Sequence, residues 1–511
     1  MNKTTLTALA AALAVSPLFA EIKMGAPFTD GAVLQRGMKV PVWGKVTPQD
    51  SKNTRNVKVE FAGQTKIAEV YAGGVWKVEL DPMEASKESR TMKVTELEPG
   101  FFFDSTVESL EIKDVLVGEV WFASGQSNME CPIWGPGTRY RDMKGGFMTT
   151  MTSLPNVRYV KCNRNWSVKP TELSAKWCKF TPEYLQNCKG SHLSAVAFYY
   201  VRELYLALDV PVGIVDASWG GTNIDAWTPR SGYDGCDDSI KATADYPVKA
   251  NWDAKKDKKG PIGGAHQQPT VLFNGMVASF APMAIRGFIW YQGCHNGGEP
   301  QLYCAKLHAL YEGWRREFAN PDLKLYLVQL APWKQNWLGI CMAQTKFCAE
   351  EKNAALAVTA DVGNFDDIHP NDKEIVAKRL ALHALKRDYG FAIPEDDSPV
   401  VKSASFKDGK ATVSFDNVKG WYVYAPCRSR DAAFELAGAD GKWFPAKIVN
   451  YRKGKGKDGK PSETDFIDGA EIVLSSDQVK NPVKVRYMGQ PRTSGTLYNE
   501  ASLPLGPFEA Q

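Results

Sequence analysis

Ser127 stands in the stretch Val120-Trp121-Phe122-Ala123-Ser124-Gly125-Gln126-Ser127-Asn128-Met129-Glu130, where an apolar run ends in a small-residue turn. Gly125 permits a tight bend there, so the hydroxyl can project into a cleft with its own backbone N–H facing a reacting oxygen. A serine hydroxyl is a weak nucleophile until an imidazole takes its proton, and the imidazole needs a carboxylate to hold its tautomer. The chain has six histidines. His369 lies in Asp366-Asp367-Ile368-His369-Pro370, where Asp366 can orient the ring from the same loop. His308 and His383 fall within helical patterns and read as structural, while His192 and His266 have no acidic neighbour in a strand-end loop. His295, in Gln292-Gly293-Cys294-His295-Asn296, is the competing base. Two further stretches offer hydrogen-bond donors to an oxyanion: Gly220-Gly221, with unobstructed backbone N–H groups, and Asn296, with a side-chain amide.

These groups need a scaffold that brings four distant stretches together. Residues 111–395 alternate strands with helices. The strand candidates are Val115–Ala123, Val212–Ala217, Ile285–Tyr291, Leu325–Leu330 and Leu356–Ala360, near-continuous in apolar character as a sheet buried on both faces requires. Ala197, Val201, Leu204 and Leu208 recur at helical spacing, as do Tyr303, Leu307, Leu310 and Trp314, and a third helix is expected from about Asp372 to Lys386. Such alternation argues a parallel doubly-wound sheet, in which ligands bind outside the carboxyl ends of the strands. Ser127, Gly220-Gly221, Gln292–Asn296 and Asp366–His369 all follow strand candidates. Residues 21–110 and 396–511 read instead as β modules. They contain alternating runs such as Val57–Phe61, Val75–Leu80, Ala411–Phe415 and Val483–Tyr487, punctuated by Gly-rich turns.

Residues 1–20 read as a signal peptide: Lys3, then the apolar run Leu6–Val15, then Pro17 before a cleavage position at Ala20. No later run reaches the ~18 apolar residues of a membrane helix, so export without a membrane span is expected. A formal charge of +4 over 511 residues gives no case for a nucleic-acid partner, and the lysine-rich pieces 255–259 and 453–460 read as solvated loops. Ten irregularly spaced cysteines, with no Cys-x-x-Cys pair, make zinc and thioredoxin-like readings poor. No metal and no organic cofactor is expected.

Gly-Gln-Ser-Asn-Met-Glu at 125–130, Ser-Trp-Gly-Gly-Thr at 218–222 followed by Asp225-Ala226-Trp227, Trp-Tyr-Gln-Gly-x-x-Asn at 290–296 and Asp-Ile-His-Pro at 367–370 occur in one order. With the flanks Phe273–Val277 and Leu497–Asn499, this arrangement resembles the sialate O-acetylesterase family, a carbohydrate-esterase branch of the SGNH hydrolases. The resemblance covers most of the mature chain. It implies a flavodoxin-like α/β core with a parallel sheet, flanked by β-sandwich-like segments. It also implies Ser127 as nucleophile, His369 as base, and an oxyanion hole from the Ser127 N–H, a glycine N–H of Gly220-Gly221, and Asn296. Asp366 fits the superfamily's Asp-x-x-His spacing, with Asp367 as the alternative. Gln126, Asn128, Trp219 and Gln292, beside these groups, are expected to contact substrate. The family loop commonly reads Gln-Gly-Glu-Ser-Asn, and that glutamate has been viewed as the acid in related acetylxylan esterases. Here Cys294 stands in its place, leaving the role to Asp366 or Asp367; a Cys131–Cys294 disulfide is one further use of the thiol. The implied substrate is an O-acetylated sialic acid. An acetylated xylan or other plant polysaccharide is the enzymatic alternative, and catalytically silent glycan binding is the alternative from another class.

Overall fold

A computed structural model describes residues 21–47, 55–133, 153–181, 193–245, 264–424, 433–455, 461–495 and 497–511. The signal-peptide reading, His192, and the lysines at 255–259 fall outside them.

At the centre is a mixed sheet of eleven strands among the described residues, whose main path of seven runs in the order Cys178–Phe180, Leu154–Lys161, Val212–Ser218, Ser105–Gly125, Gly287–Tyr291, Lys324–Val328, Ala354–Ala357. All neighbours on this path are parallel except the Cys178–Phe180 edge. Four of the expected strands are present with bounds shifted by a few residues, and the fifth, expected at Val115–Ala123, begins ten residues earlier, at Ser105. The sequence reading missed Leu154–Lys161 and the helix Leu338–Glu350. Ser105–Gly125 is central and buried throughout its last eleven residues, Val115–Gly125. A strand covered by helices on both sides leaves no solvent face on which to alternate polar residues.

Four helices cover the sheet. Ala195–Leu208 packs beside Lys373–Arg387, and Pro300–Glu317 beside Leu338–Glu350. Their starts are marked in sequence. The Ser194 side chain accepts the Ala197 N–H at 3.1 Å, the Asp372 side chain accepts the Ile375 N–H at 3.1 Å, and Pro300 opens its helix where a missing N–H costs nothing. Among the described residues no helix is long and apolar enough to cross a membrane.

The chain leaves Ser105–Gly125 toward one side of the sheet and later returns on the other, so the strand order reverses at this strand. A crevice opens at such a reversal. Register brings three loops to one level there, because Ser218 and Tyr291 both lie opposite Gly125.

The two flanking β regions differ in how they join this core. The N-terminal region contributes Val57, Val59, Trp76 and Leu80 to the same buried cluster as the central sheet. Its strand Ser86–Glu98 pairs antiparallel with the first half of Ser105–Gly125, so one strand of 21 residues runs across position 111 without a break. Among the described residues the C-terminal region forms three four-stranded sheets around a second cluster, in which Trp421, Phe434, Leu474 and Tyr487 join Val358 and Ala360 of the preceding region.

Candidate active site

Ser127 is the first residue of a single helical turn, Ser127–Glu130, placed directly after the central strand. Gly125 makes the turn possible. Its φ is +140°, and an added Cβ would stand 2.3 Å from the Tyr291 carbonyl oxygen, a distance no side chain tolerates. The loop is then tied to both neighbouring strands. Trp219 N–H donates to Gly125 O at 3.1 Å, and Gln126 N–H donates to Tyr291 O at 3.0 Å. The Gln126 side-chain oxygen accepts from Gly293 N–H at 3.1 Å and His295 N–H at 3.4 Å.

His369 reaches this hydroxyl. Its Nε2 lies 2.9 Å from Ser127 Oγ, and its Nδ1 lies 3.1 Å from Asp367 Oδ1. The same carboxylate oxygen accepts the His369 backbone N–H at 3.0 Å. The ring therefore carries its proton on Nδ1 and turns a lone pair toward the serine. The orienting carboxylate is Asp367 and not the expected Asp366. Asn364 Oδ1 accepts both aspartate N–H groups, folding the loop so that Asp367 turns inward. Asp366 points to solvent, where Arg492 Nη2 donates to it at 3.1 Å. Burial holds the His369 imidazole below its ordinary value, outweighing the opposite pull of Asp367. The ring is thus neutral at pH 7 and able to accept a proton.

The histidine loop is clamped from the nucleophile side. Asn128 Nδ2 donates to the Ile368 carbonyl at 3.1 Å, and the buried Lys373 ammonium donates to Asn128 Oδ1. Asn128 therefore holds the loop instead of facing substrate.

The oxyanion donors sort themselves by what they already bond. The Ser127 N–H has no protein acceptor among the described residues. Gly220 packs against the nucleophile, since a Cβ there would meet Ser127 Cβ at 3.1 Å. Its N–H is not open to an oxyanion, however, because it donates to Glu130 Oε2 at 2.8 Å. Gly221, at φ +72°, keeps an N–H without a protein acceptor among the described residues. Asn296 is 1% exposed; its carbonyl accepts from Ile224 N–H at 3.0 Å and Gln292 Nε2 at 2.7 Å. One Nδ2 hydrogen goes to Glu299, which leaves one. Glu299 in turn accepts from Lys306 at 2.8 Å, and Lys306 also bonds the buried Asp225 at 2.8 Å.

Of the expected substrate contacts, Trp219 alone is partly exposed, stacked on His266 at 4.9 Å. Gln126 and Gln292 are buried and bonded within the protein. Gln292 joins Thr222 O, Asn296 and Tyr303, whose hydroxyl donates to Gln292 Oε1 at 2.7 Å. Both glutamines serve as struts because a buried amide must find partners wherever the backbone offers them.

Cys294 is a free thiol, so the Cys131–Cys294 bridge is not formed. Burial pushes the Cys294 thiol up to about 12, so it is neutral and supplies no charge for an imidazolium. His295 is exposed and contacts Gln267 Nε2 at 3.2 Å, not the serine. Among the described residues two groups have a spacing suited to a metal ion, Cys304–His308–Glu350 and His383–Asp396–Asp397, and neither includes a residue of this site.

Sequence reasoning assigned no role to Glu130, Arg164, Lys373 or Glu299. Glu130 closes the first motif and Lys373 follows Asp-Ile-His-Pro closely, so both lie inside or beside stretches already singled out. Arg164 follows a strand that had not been recognised.

Residues 117–386, more than half of the chain, match the family described as carbohydrate esterase, sialic acid-specific acetylesterase. The chain is 28% identical over 451 residues to a sialate O-acetylesterase of Pongo abelii, covering 80% of this chain and 78% of that protein. It is 27% identical over 441 residues to the Homo sapiens sialate O-acetylesterase, with coverage of 80% and 78%. A crystal structure of a carbohydrate acetylesterase from Xanthomonas citri superposes with a TM-score of 0.75 at 30% identity, over 96% of this chain and all of that one.

Proposed function

This chain belongs to the carbohydrate esterase, sialic acid-specific acetylesterase family, and we propose that it removes O-acetyl groups from sialic acids by a Ser127–His369–Asp367 acyl-enzyme mechanism on a flavodoxin-like SGNH core. The observation that carries the mechanism is the relay from Asp367 Oδ1 through both ring nitrogens of His369 to Ser127 Oγ, at 3.1 and 2.9 Å. His369 Nε2 takes the hydroxyl proton as Ser127 Oγ attacks the acetyl carbonyl carbon. Asp367 stabilises the imidazolium that forms. The oxyanion is received by the Ser127 N–H, the Gly221 N–H and the remaining Nδ2 hydrogen of Asn296. As the tetrahedral intermediate collapses, the imidazolium returns its proton to the sugar oxygen, which leaves as a hydroxyl. Water deprotonated by the same imidazole then attacks the acetyl-enzyme and releases acetate.

The catalytic unit spans residues 111–395, between an N-terminal β segment of residues 21–110 and a C-terminal one of residues 396–511. Residues 1–20 direct export. A broader glycan range, acetylated plant polysaccharides included, is the second reading, favoured by the 30% identity to the Xanthomonas carbohydrate acetylesterase over nearly the whole chain. Acetate release from 9-O-acetylated sialic acid and from acetylated xylan, by wild type and Ser127→Ala, tests both. Turnover of sialate, abolished in the variant, supports the first reading. Turnover of xylan alone replaces it with the second, and glycan retention without acetate release from either ester would overturn catalysis.

A further inference from the structure

Beside the Ser127 turn stands a cation that the acetyl chemistry does not use. Arg164 lies in the loop after strand Leu154–Lys161, at the same end of the sheet as the nucleophile. Its Nε donates to Glu130 Oε1 at 2.6 Å. The other oxygen of Glu130 accepts the Gly220 N–H at 2.8 Å, and Gly220 packs against Ser127. The guanidinium is centred 5.6 Å from the Trp219 ring, and Trp219 stacks on His266 with only 8° between their planes. Arg164 is thus fixed in orientation by a carboxylate and an aromatic ring, yet its side chain is 56% exposed. Among the described residues neither Nη nitrogen bonds a protein group. An exposed arginine on an ordinary surface gains little from being held still. Here the two terminal nitrogens are held beside the nucleophile loop, linked to it through Glu130 and Gly220.

We propose that the Arg164 fork is a subsite for the carboxylate of the substrate sugar, so that the enzyme selects esters of acidic sugars such as sialic acids over neutral ones. Two parallel N–H···O bonds to a planar carboxylate are the contact a guanidinium makes best and an ammonium does not reproduce. Glu130 holds Nε and leaves the two terminal nitrogens without a protein partner among the described residues. The proposal rests on the sialate reading above.

The test compares kcat/KM for 9-O-acetylated sialic acid with that for its C1 methyl ester, in wild type, Arg164→Met and Arg164→Lys. The methyl ester keeps the scissile acetyl group and removes only the negative charge and one acceptor. Wild type should prefer the free acid by about 10- to 100-fold, the range of a charge-assisted bond pair. Arg164→Met should bring the ratio close to one, with the loss on the free acid carried mainly by KM, and Arg164→Lys should restore it only in part. Because the ratio is taken within each protein, a general loss from releasing Glu130 cancels. Equal wild-type rates on acid and methyl ester, or an unchanged ratio in Arg164→Met, would overturn the subsite while leaving sialate turnover intact. Absence of turnover on both sialates, with neutral acetylated sugars hydrolysed, would overturn the sialate reading and the subsite with it.

Discussion

The two sides of the site are built in different ways. Ser127 is placed by backbone: a strand end, a glycine turn and main-chain bonds from Trp219 and to Tyr291 fix it to the sheet. His369 is placed by side chains: Asn364 folds its loop, Asn128 clamps it and Asp367 turns the ring. A backbone-built half tolerates substitution of its side chains as long as the turn survives. A side-chain-built half can lose its geometry through one atom. The acid–base half of the dyad is therefore where single substitutions should expose the mechanism.

The sharpest break is His369→Ala, which should lower kcat by on the order of 10³ or more, because the hydroxyl loses its proton acceptor. His295→Ser, measured alongside, should cost far less. The reverse ranking would move the base to the other loop.

Asp367→Asn should come next, with a fall in kcat of roughly 10²–10⁴, since an amide cannot stabilise the imidazolium. Its pH profile carries a second signature. The reaction needs neutral His369, so rate is lost as pH falls through the pKa of the ring. Burial depresses that pKa, which puts the acid limb below the ordinary histidine value of 6.5. Asp367 pulls upward, so removing it should move the limb lower still. A limb that stays put in Asp367→Asn would mean that another group titrates.

On the backbone-built side, Asn296→Ala should cost about 10²–10³ in kcat with KM little changed, as loss of one oxyanion donor does. An effect confined to KM would make Asn296 a sugar ligand. Asn128→Ala removes the link between the two sides and leaves the Lys373 ammonium without that acceptor. A roughly tenfold loss of kcat is expected, with about 1–3 kcal/mol of stability in thermal unfolding. The smallest effect belongs to Asp366→Asn. Its pair with Arg492 is largely exposed, at 83% for the aspartate, and such pairs contribute about 0–1 kcal/mol. An Asp366→Asn variant as damaged as Asp367→Asn would erase the distinction between the two carboxylates.

The same contrast explains what could be read in advance. Ser127, Gly220-Gly221 and Asn296 follow apolar runs that announce strands, and strand ends in a parallel sheet converge by register. The shift from Asp366 to Asp367 could not be read that way. Two adjacent carboxylates in an irregular loop have equal chemistry, and the choice rests on Asn364, whose role is visible only once the loop is folded. Gln126 and Gln292 were misread for a related reason. A polar residue in a motif looks available to substrate until burial shows that it is engaged by the protein. Leu154–Lys161 was overlooked because it begins with Leu154-Pro155-Asn156 and carries Arg158, and Arg164 went with it. Arg158 is nonetheless buried, held by Gly31 O at 2.8 Å and by Asp114 at 3.0 Å, so tertiary partners override the polar appearance of that strand.

The strand Ser105–Gly125 has a consequence for anyone who would cut this protein into pieces. Its first half is knitted to a local hairpin partner and its last residue is the hinge of the nucleophile turn. A truncation that discards the N-terminal β region leaves a ragged half-strand and strips Val57, Trp76 and Leu80 from a core they share with the sheet. Shortening from this end should give all-or-none loss of soluble enzyme, never a smaller working one. At the other end the C-terminal sheets share their cluster with Val358 and Ala360, and Gly495 N–H donates to Ala360 O at 2.8 Å, so a cut there also opens a shared core.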